Sequence, residues 1–382
     1  MECGEDYILL KGDITKYELM FYDERESQMK VLVLGPSAEK SKGGMSTVIG
    51  EMKDDKNLCE EFNMDFYESY IDGNKLKVLC FSLYSYLRFC FTGMAKKYDI
   101  YHIHAASYGS TFRKLLYIKN IKKYNKKIIF HIHGAEYMKF FEGLSEKNKK
   151  KVIDMLNSMD VVVALSDDWK EKFEKTFGIS NCVVIENGIN MERLAPAISD
   201  IAEHRHTMVA LGRLGKRKGT YDLINAIELV VKDIPDLKVY LAGDGEIEEV
   251  KRVVQQKKIV ENVKIIGWIG FEKKLDILRK SVVLLLPSYN EGLPMAILEG
   301  MACGKGIIST TVGAIPEVIN EKNGILINAG DIKGLAYAII KLSQDDIMLK
   351  NMSKNNIKKI EDIYSVNIMH KKIRNVYLNK NI

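Results

Sequence analysis

Short apolar runs alternate with segments of helical spacing along nearly the whole chain, and few architectures accommodate that order. The runs are Val31–Leu34, Ile100–His104, Ile128–His133, Val161–Leu165 and Val183–Ile185. After a polar stretch come Met208–Leu211, Lys238–Ala242, Val263–Ile266, Val282–Leu286, Gly306–Thr310 and Ile325–Ile327. Several are continuously apolar rather than alternating, as strands buried on both faces are. Segments such as Tyr221–Val231 and Leu335–Leu342 between them carry a helical period. Strands alternating with helices predict parallel sheets covered on both sides. A chain of 382 residues exceeds one typical core, so two domains are expected. The weakly periodic, polar stretch Ala195–His206 is the best boundary. The expected fold is α/β: two facing, Rossmann-like, doubly wound domains with a cleft between them. Ligands of such sheets bind outside the carboxyl ends of the strands.

Composition narrows the class. No segment reaches 18 consecutive apolar residues, so no transmembrane helix is expected. The first residues include Glu2, Glu5 and Asp6 and lack a basic region before an apolar run, unlike a secretory signal. Six scattered cysteines without CxxC spacing fit a reduced, cytoplasmic protein. Residues 1–28 hold eight acids and three bases, a net of −5, so with +6 overall the remainder is +11. Met29 opens MKVLVLGP, which reads as the start of a domain. Residues 1–28 are then either a mobile extension or a stretch ahead of the true start.

The residues that carry chemistry sit just after strands. Glu291-Gly-Leu-Pro-Met-Ala-Ile-Leu-Glu299 follows the run Val282–Leu286. Pro294 suits the first helical position, leaving Glu291 in the loop and Glu299 inside the helix. Free N–H groups at that helix start can hold a phosphate, and the carboxylates can accept hydrogen bonds from sugar hydroxyls. A helix with an acidic first turn is the plainer alternative. Arg213 and Lys218, after Met208–Leu211, can reach one diphosphate together, although lone loop cations are usually solvated. Gly43-Gly44 follows the first run and would let backbone approach a ligand, or is only a turn. Gly243-Asp-Gly245 fails the GxGxxG pattern at Glu248, which argues against a nicotinamide enzyme. His102/His104, His131/His133 and His204/His206 form His-x-His pairs. On a strand each pair shares a face, which suits metal ligands or a polar cleft wall, and no acidic partner is evident beside them.

Taken in order, Gly43-Gly44, His133-Gly134, Asn187-Gly188-Ile189-Asn190, Gly212-Arg213-Leu214 with Lys218-Gly219, Gly243-Asp-Gly245, Glu291 with Glu299, and Gly313-Ala-Ile-Pro-Glu317 resemble family 4 of the retaining glycosyltransferases, whose architecture is GT-B. The resemblance spans about residues 29–380. It implies an N-terminal acceptor domain (29–195), a C-terminal nucleotide-sugar domain (196–364) and a last stretch (365–382) whose helix crosses back. Gly300 and Gly306, flanking Met-Ala-Cys-Gly-Lys305, and Ala314 depart from the family's usual Ala, Pro and Gly. These affect local geometry rather than contacting groups.

The resemblance assigns roles. Arg213 and Lys218 would neutralise the departing diphosphate, Glu291 would bind hydroxyls of the transferred sugar, and Glu299 would hold the ribose. Backbone at Gly292, Leu293, Gly43 and Gly44 would contact sugar and phosphate. His133 would touch the sugar from the opposite wall, and Gly267 would lie near the base. No Asp-x-Asp occurs, the motif by which glycosyltransferases of the other common fold hold a divalent metal. No metal and no other cofactor is therefore expected. The implied function is transfer of a sugar from a nucleotide diphosphate donor to a glycan or lipid-linked glycan, in cell-surface polysaccharide synthesis. A nucleotide-sugar epimerase and a non-catalytic sugar-nucleotide-binding relative are the alternatives, and no nucleic-acid partner is expected. Arg113, Lys114, Lys119, Lys122, Lys123, Lys126 and Lys127 crowd one short segment with an apolar side, close in sequence to Tyr84, Tyr86, Phe89 and Phe91. This is either a solvated helix or a patch that rests on an anionic inner membrane.

Overall fold

The computed structural model describes residues 29–198 and 200–380; the acidic stretch 1–28 lies outside the described residues. The N-terminal sheet comprises β1 (Val31–Pro36), β2 (Met64–Tyr70), β3 (Ile100–Ala105), β4 (Lys127–Ile132), β5 (Val161–Ala164) and β6 (Cys182–Val184), in the order β2-β1-β3-β4-β5-β6. The C-terminal sheet comprises β7 (Thr207–Leu211), β8 (Lys238–Ala242), β9 (Val263–Gly267), β10 (Val283–Leu286), β11 (Gly306–Thr310) and β12 (Gly324–Ile327), in the order β12-β11-β10-β7-β8-β9. All strand pairs are parallel, and the run-and-helix alternation of the sequence is the reason. β1, β3, β10 and β11 are buried along their whole length.

One strand departs from the sequence expectation. β2 carries no continuous apolar run; its burial alternates because it lies at the sheet edge, with one side pairing β1. Its exposed flank is covered by the helix Lys75–Phe91, where Ser85 Oγ donates to the Glu68 carbonyl at 2.7 Å and Tyr67 Oη donates to the Ser85 carbonyl at 2.6 Å.

Strand order reverses between β1 and β3 in the first sheet and between β7 and β10 in the second. A crevice opens at each reversal, at the carboxyl ends of the strands. These two crevices position the site. The chain closes by returning: the helix Val366–Tyr377 buries Met369, Ile373, Val376 and Tyr377 in the same core as Val31, Val33, Ile100 and Ile129 of the N-terminal sheet. Each such side chain contributes about 1.5–3 kcal/mol, so the two domains are held at this end independently of any ligand. Among the described residues no helix is long and apolar enough to cross a membrane.

Candidate active site

β7 and β10 are neighbours, so the loops that follow them meet. Gly219 makes that meeting possible, and Gly313, in the loop after β11, lets a third strand end approach the loop after β10. Gly219 has φ +69°, and a Cβ there would lie 1.9 Å from the Pro287 carbonyl oxygen. Gly313 has φ +57°, and its Cβ would lie 1.9 Å from the Glu291 carbonyl oxygen. Side chains are excluded at both positions by contact and by backbone conformation. Arg217 Nη1 donates to the Asn290 carbonyl at 3.1 Å, and Tyr289 N–H donates to the Arg217 carbonyl at 2.9 Å. The result is a 2.5 Å ion pair between Lys218 Nζ and Glu291 Oε1, with both side chains largely removed from water. Arg213 stands at the same strand ends but is exposed, 3.9 Å from Asp244. The helix Met295–Ala302 begins beside them, with Pro294 at its cap rather than at its first turn and, among the described residues, no side chain capping it. Its first amides are therefore available to an anion.

Glu299 lies one turn inside that helix and pairs with Lys274 at 2.6 Å. Together they border a cavity of about 340 Å³, also lined by Glu51, Asn190, Arg193 and Phe271. Burial raises the Glu51 carboxyl, and Arg193 partly offsets this. Lys42 Nζ sits 4.3 Å above the Trp268 ring, across the cleft and next to Gly267.

The N-terminal wall closes on these groups. A Cβ on Gly44 would lie 3.0 Å from Met295 Cγ, and one on Gly292 would lie 3.7 Å from the His133 carbonyl. Asn187 Nδ2 donates to the Leu293 carbonyl at 3.0 Å. Gly44 thus approaches the start of the helix Met295–Ala302, and His133 approaches Gly292 through its backbone carbonyl, next to Glu291 and Leu293 in the chain. His133 Nε2 is 2.9 Å from His104 Nδ1, and His102 Nε2 is 3.2 Å from His131 Nδ1. Burial depresses all four imidazoles, His102 and His133 to about 3. Ligand atoms of His102, His104 and His131 lie within 4.8 Å of one another. The His102 and His104 rings, however, stack at 4.4 Å and 27°, so their in-plane lone pairs do not converge on one ion.

Sequence reasoning missed Lys274, Glu51 and Trp268, and it singled out His104 only as one half of a His-x-His pair, without its contact to His133. Lys274, Glu51 and Trp268 lie in no motif; each is marked only by a partner from another element. The basic segment is corrected in part. Lys114 is 3% exposed and turned inward to the Ser69 hydroxyl, and Lys127 reaches the carbonyl of Val376 on the returning helix at 2.5 Å. Arg113 lies over the Tyr70 ring at 5.1 Å, whereas Lys119, Lys122 and Lys123 are exposed. Phe89 is buried.

Two family models match the chain in succession: Glycosyltransferase Family 4 over residues 60–193 and Glycosyl transferases group 1 over residues 205–345. The chain belongs to the family 4 glycosyltransferases. This glycosyltransferase is 29% identical, over 74% of its length and 76% of the relative's, to the UDP-Gal:alpha-D-GlcNAc-diphosphoundecaprenol alpha-1,3-galactosyltransferase of Escherichia coli. It is 24% identical, over 65% of its length and 69% of the relative's, to a GDP-mannose-dependent monoacylated alpha-(1-6)-phosphatidylinositol monomannoside mannosyltransferase of Corynebacterium glutamicum. Its fold is that of HepE from Anabaena, solved in complex with UDP, with a TM-score of 0.73 at 18% identity over 92% of this chain and 100% of that one. Sucrose-phosphate synthase from Thermosynechococcus elongatus gives a TM-score of 0.73 at 17% identity over 92% and 98%. The glycosyltransferase has the two-domain GT-B architecture and acts in glycan or polysaccharide synthesis.

Proposed function

We propose that the enzyme transfers a sugar from a nucleotide diphosphate donor to a glycan or lipid-linked glycan acceptor with retention at the anomeric carbon and without a metal ion. The observation that carries this reading is the convergence of Arg213, Lys218, Glu291 and an uncapped helix start at the carboxyl ends of β7 and β10. As the bond between anomeric carbon and phosphate oxygen breaks, negative charge grows on the diphosphate. Arg213, Lys218 and the helix amides stabilise that charge where it develops. The acceptor oxygen bonds to the anomeric carbon on the face the phosphate leaves, and its proton passes to the departing phosphate oxygen. Glu291 accepts from sugar hydroxyls, Glu299 holds the ribose, and His133, with Gly43, Gly44, Gly292, Leu293 and Gly267, lines the remaining walls. The relatives' names, which include UDP-galactose and a diphosphoundecaprenol-linked sugar, support a uridine donor and a lipid-linked acceptor. The enzyme then works peripherally on the inner face of the membrane.

Thermal shift against UDP, GDP, UDP-sugars and GDP-sugars tests the donor. Binding at about 100 times the dissociation constant stabilises by roughly 2.7 kcal/mol. The anomeric proton coupling of the product then reads the stereochemistry. An inverted product removes the retaining mechanism, and epimerisation of the donor alone removes the transferase reading.

A further inference from the structure

We propose that the helix Lys75–Phe91 is the element that docks the enzyme on an anionic lipid bilayer; this deepens the lipid-linked acceptor reading and rests on it. A surface helix normally turns polar residues outward. Here Leu76, Leu79, Leu83, Tyr84, Leu87 and Phe91 share one outward stripe at steps of three and four residues, and they are 43–85% exposed. The inward side holds Ser85 and Phe89. Six large apolar side chains on one helix form a convex ridge rather than a groove that another folded chain could fill.

Charge selects the occupant. No Asp or Glu occurs between Asp72 and Asp99, nor between Asp99 and Glu136. Exposed Lys75, Lys77, Arg88, Lys96 and Lys97 flank the ridge. Lys119 is exposed on the neighbouring helix Gly109–Ile121, and Lys122 and Lys123 on the turn after it. That helix is joined to the ridge by an Asn120–Tyr86 hydrogen bond of 2.8 Å. A second copy of the chain would bring the same bases against these. Anionic headgroups complement them, and the ridge fits the boundary between headgroups and acyl chains. Each base near such a surface strengthens partition about five-fold.

The test is flotation with vesicles of mixed phosphatidylglycerol and phosphatidylcholine, compared with phosphatidylcholine alone. The wild type is expected to float with the anionic vesicles, less so as salt rises. Leu76→Ser, Leu79→Ser and Leu83→Ser together are expected to weaken partition by about ten-fold or more while leaving turnover of a short, water-soluble acceptor unchanged. Failure of the wild type to float, or equal flotation of the triple variant, overturns the proposal. So does a wild-type dimer that the triple variant abolishes. Absence of transfer in both proteins with flotation intact removes the functional reading and leaves the surface standing.

A separate observation concerns His104, which we infer to be a positioning residue that presents His133 to the cleft as an Nδ1–H donor. His104 is fully buried, its Nδ1 contacts His133 Nε2 at 2.9 Å, and among the described residues its Nε2 has no hydrogen-bond partner. If His133 donated in this bond, His104 would carry its proton on the enclosed, partnerless Nε2. Orphaned buried N–H groups are rarer than orphaned acceptors. The favoured arrangement therefore has His104 Nδ1–H donating, His133 Nε2 accepting, and the His133 proton on Nδ1, which is not enclosed.

Nitrogen-15 spectra of histidine-labelled protein read the tautomer directly. The wild type is expected to show His133 protonated at Nδ1. His104→Leu is expected to lose that signature and raise the donor KM about ten-fold, and His104→Asn, whose amide can stand in for Nδ1–H, to restore both. A wild-type His133 protonated at Nε2 overturns the inference. An unchanged tautomer in His104→Leu does so as well; should that variant not fold, the wild-type and His104→Asn spectra decide. An unchanged donor KM in His133→Ala removes His133 from the sugar site without touching the tautomer assignment.

Discussion

Lys218→Met separates what the Lys218–Glu291 pair does for the fold from what it does for the reaction. The substitution keeps most of the aliphatic stem and removes the charge 2.5 Å from Glu291 Oε1. Glu291 is only 5% exposed, so its carboxylate is left buried without its ion-pair partner. Breaking one side of a buried pair costs about 3 kcal/mol, readable as a lower midpoint in urea unfolding at unchanged slope. Turnover at saturating donor is expected to fall about 10²-fold or more, since a cation at the departing diphosphate is lost. Adding Glu291→Gln removes the stranded charge. The double variant is then expected to recover about 2 kcal/mol of stability and none of the turnover. Two outcomes refute the reasoning. Turnover of Lys218→Met within a few-fold of wild type removes Lys218 from the charge-stabilising role. A double variant as unstable as the single shows that the lost stability did not come from a stranded carboxylate.

Three further outcomes are expected. Glu299→Ala should weaken binding of both free nucleotide and donor, whereas Glu291→Ala should weaken donor and leave free nucleotide nearly intact; calorimetry showing the reverse means the two roles are exchanged. Saturating EDTA should leave initial rates within about two-fold of the untreated enzyme, because Arg213, Lys218 and the helix start supply the positive charge; loss restored by a divalent ion would return the buried histidines to consideration as ligands. Stability should fall as pH drops below about 6.5, because the folded His102 imidazole is held near 3 by burial. The unfolded chain then binds a proton that the native state refuses, so stability is unaffected above the unfolded value and declines below it. His102 alone costs about 2 kcal/mol at pH 5, and urea midpoints unchanged between pH 8 and pH 5 contradict this.

The parts of the molecule legible in the sequence share one physical property: they are specified by neighbours along the chain. A parallel strand buried on both faces is a continuous apolar run, so β1 and β10 announce themselves. Because ligands meet such sheets at strand ends, Arg213, Lys218 and Glu291 could be located by counting from those runs. β2 escaped because an edge strand needs apolar residues on one face only; Asp65 and Glu68 interrupt its pattern. Lys114 misled for a related reason. Charge counting reports composition, not the direction of a side chain, and nothing local says that position 114 turns inward to Ser69. Lys274, His104 and Trp268 needed partners from distant segments, namely Glu299, His133 and Lys42. The same division holds for the ridge Leu76–Phe91. Its apolar period reads as an ordinary buried helix stripe, and only tertiary structure reveals that the stripe faces outward. Local sequence therefore locates the groups proposed to meet the donor, because backbone geometry at strand ends fixes them. The groups proposed to set their charge, tautomer and approach to the acceptor emerge only once the two sheets and the returning helix are packed.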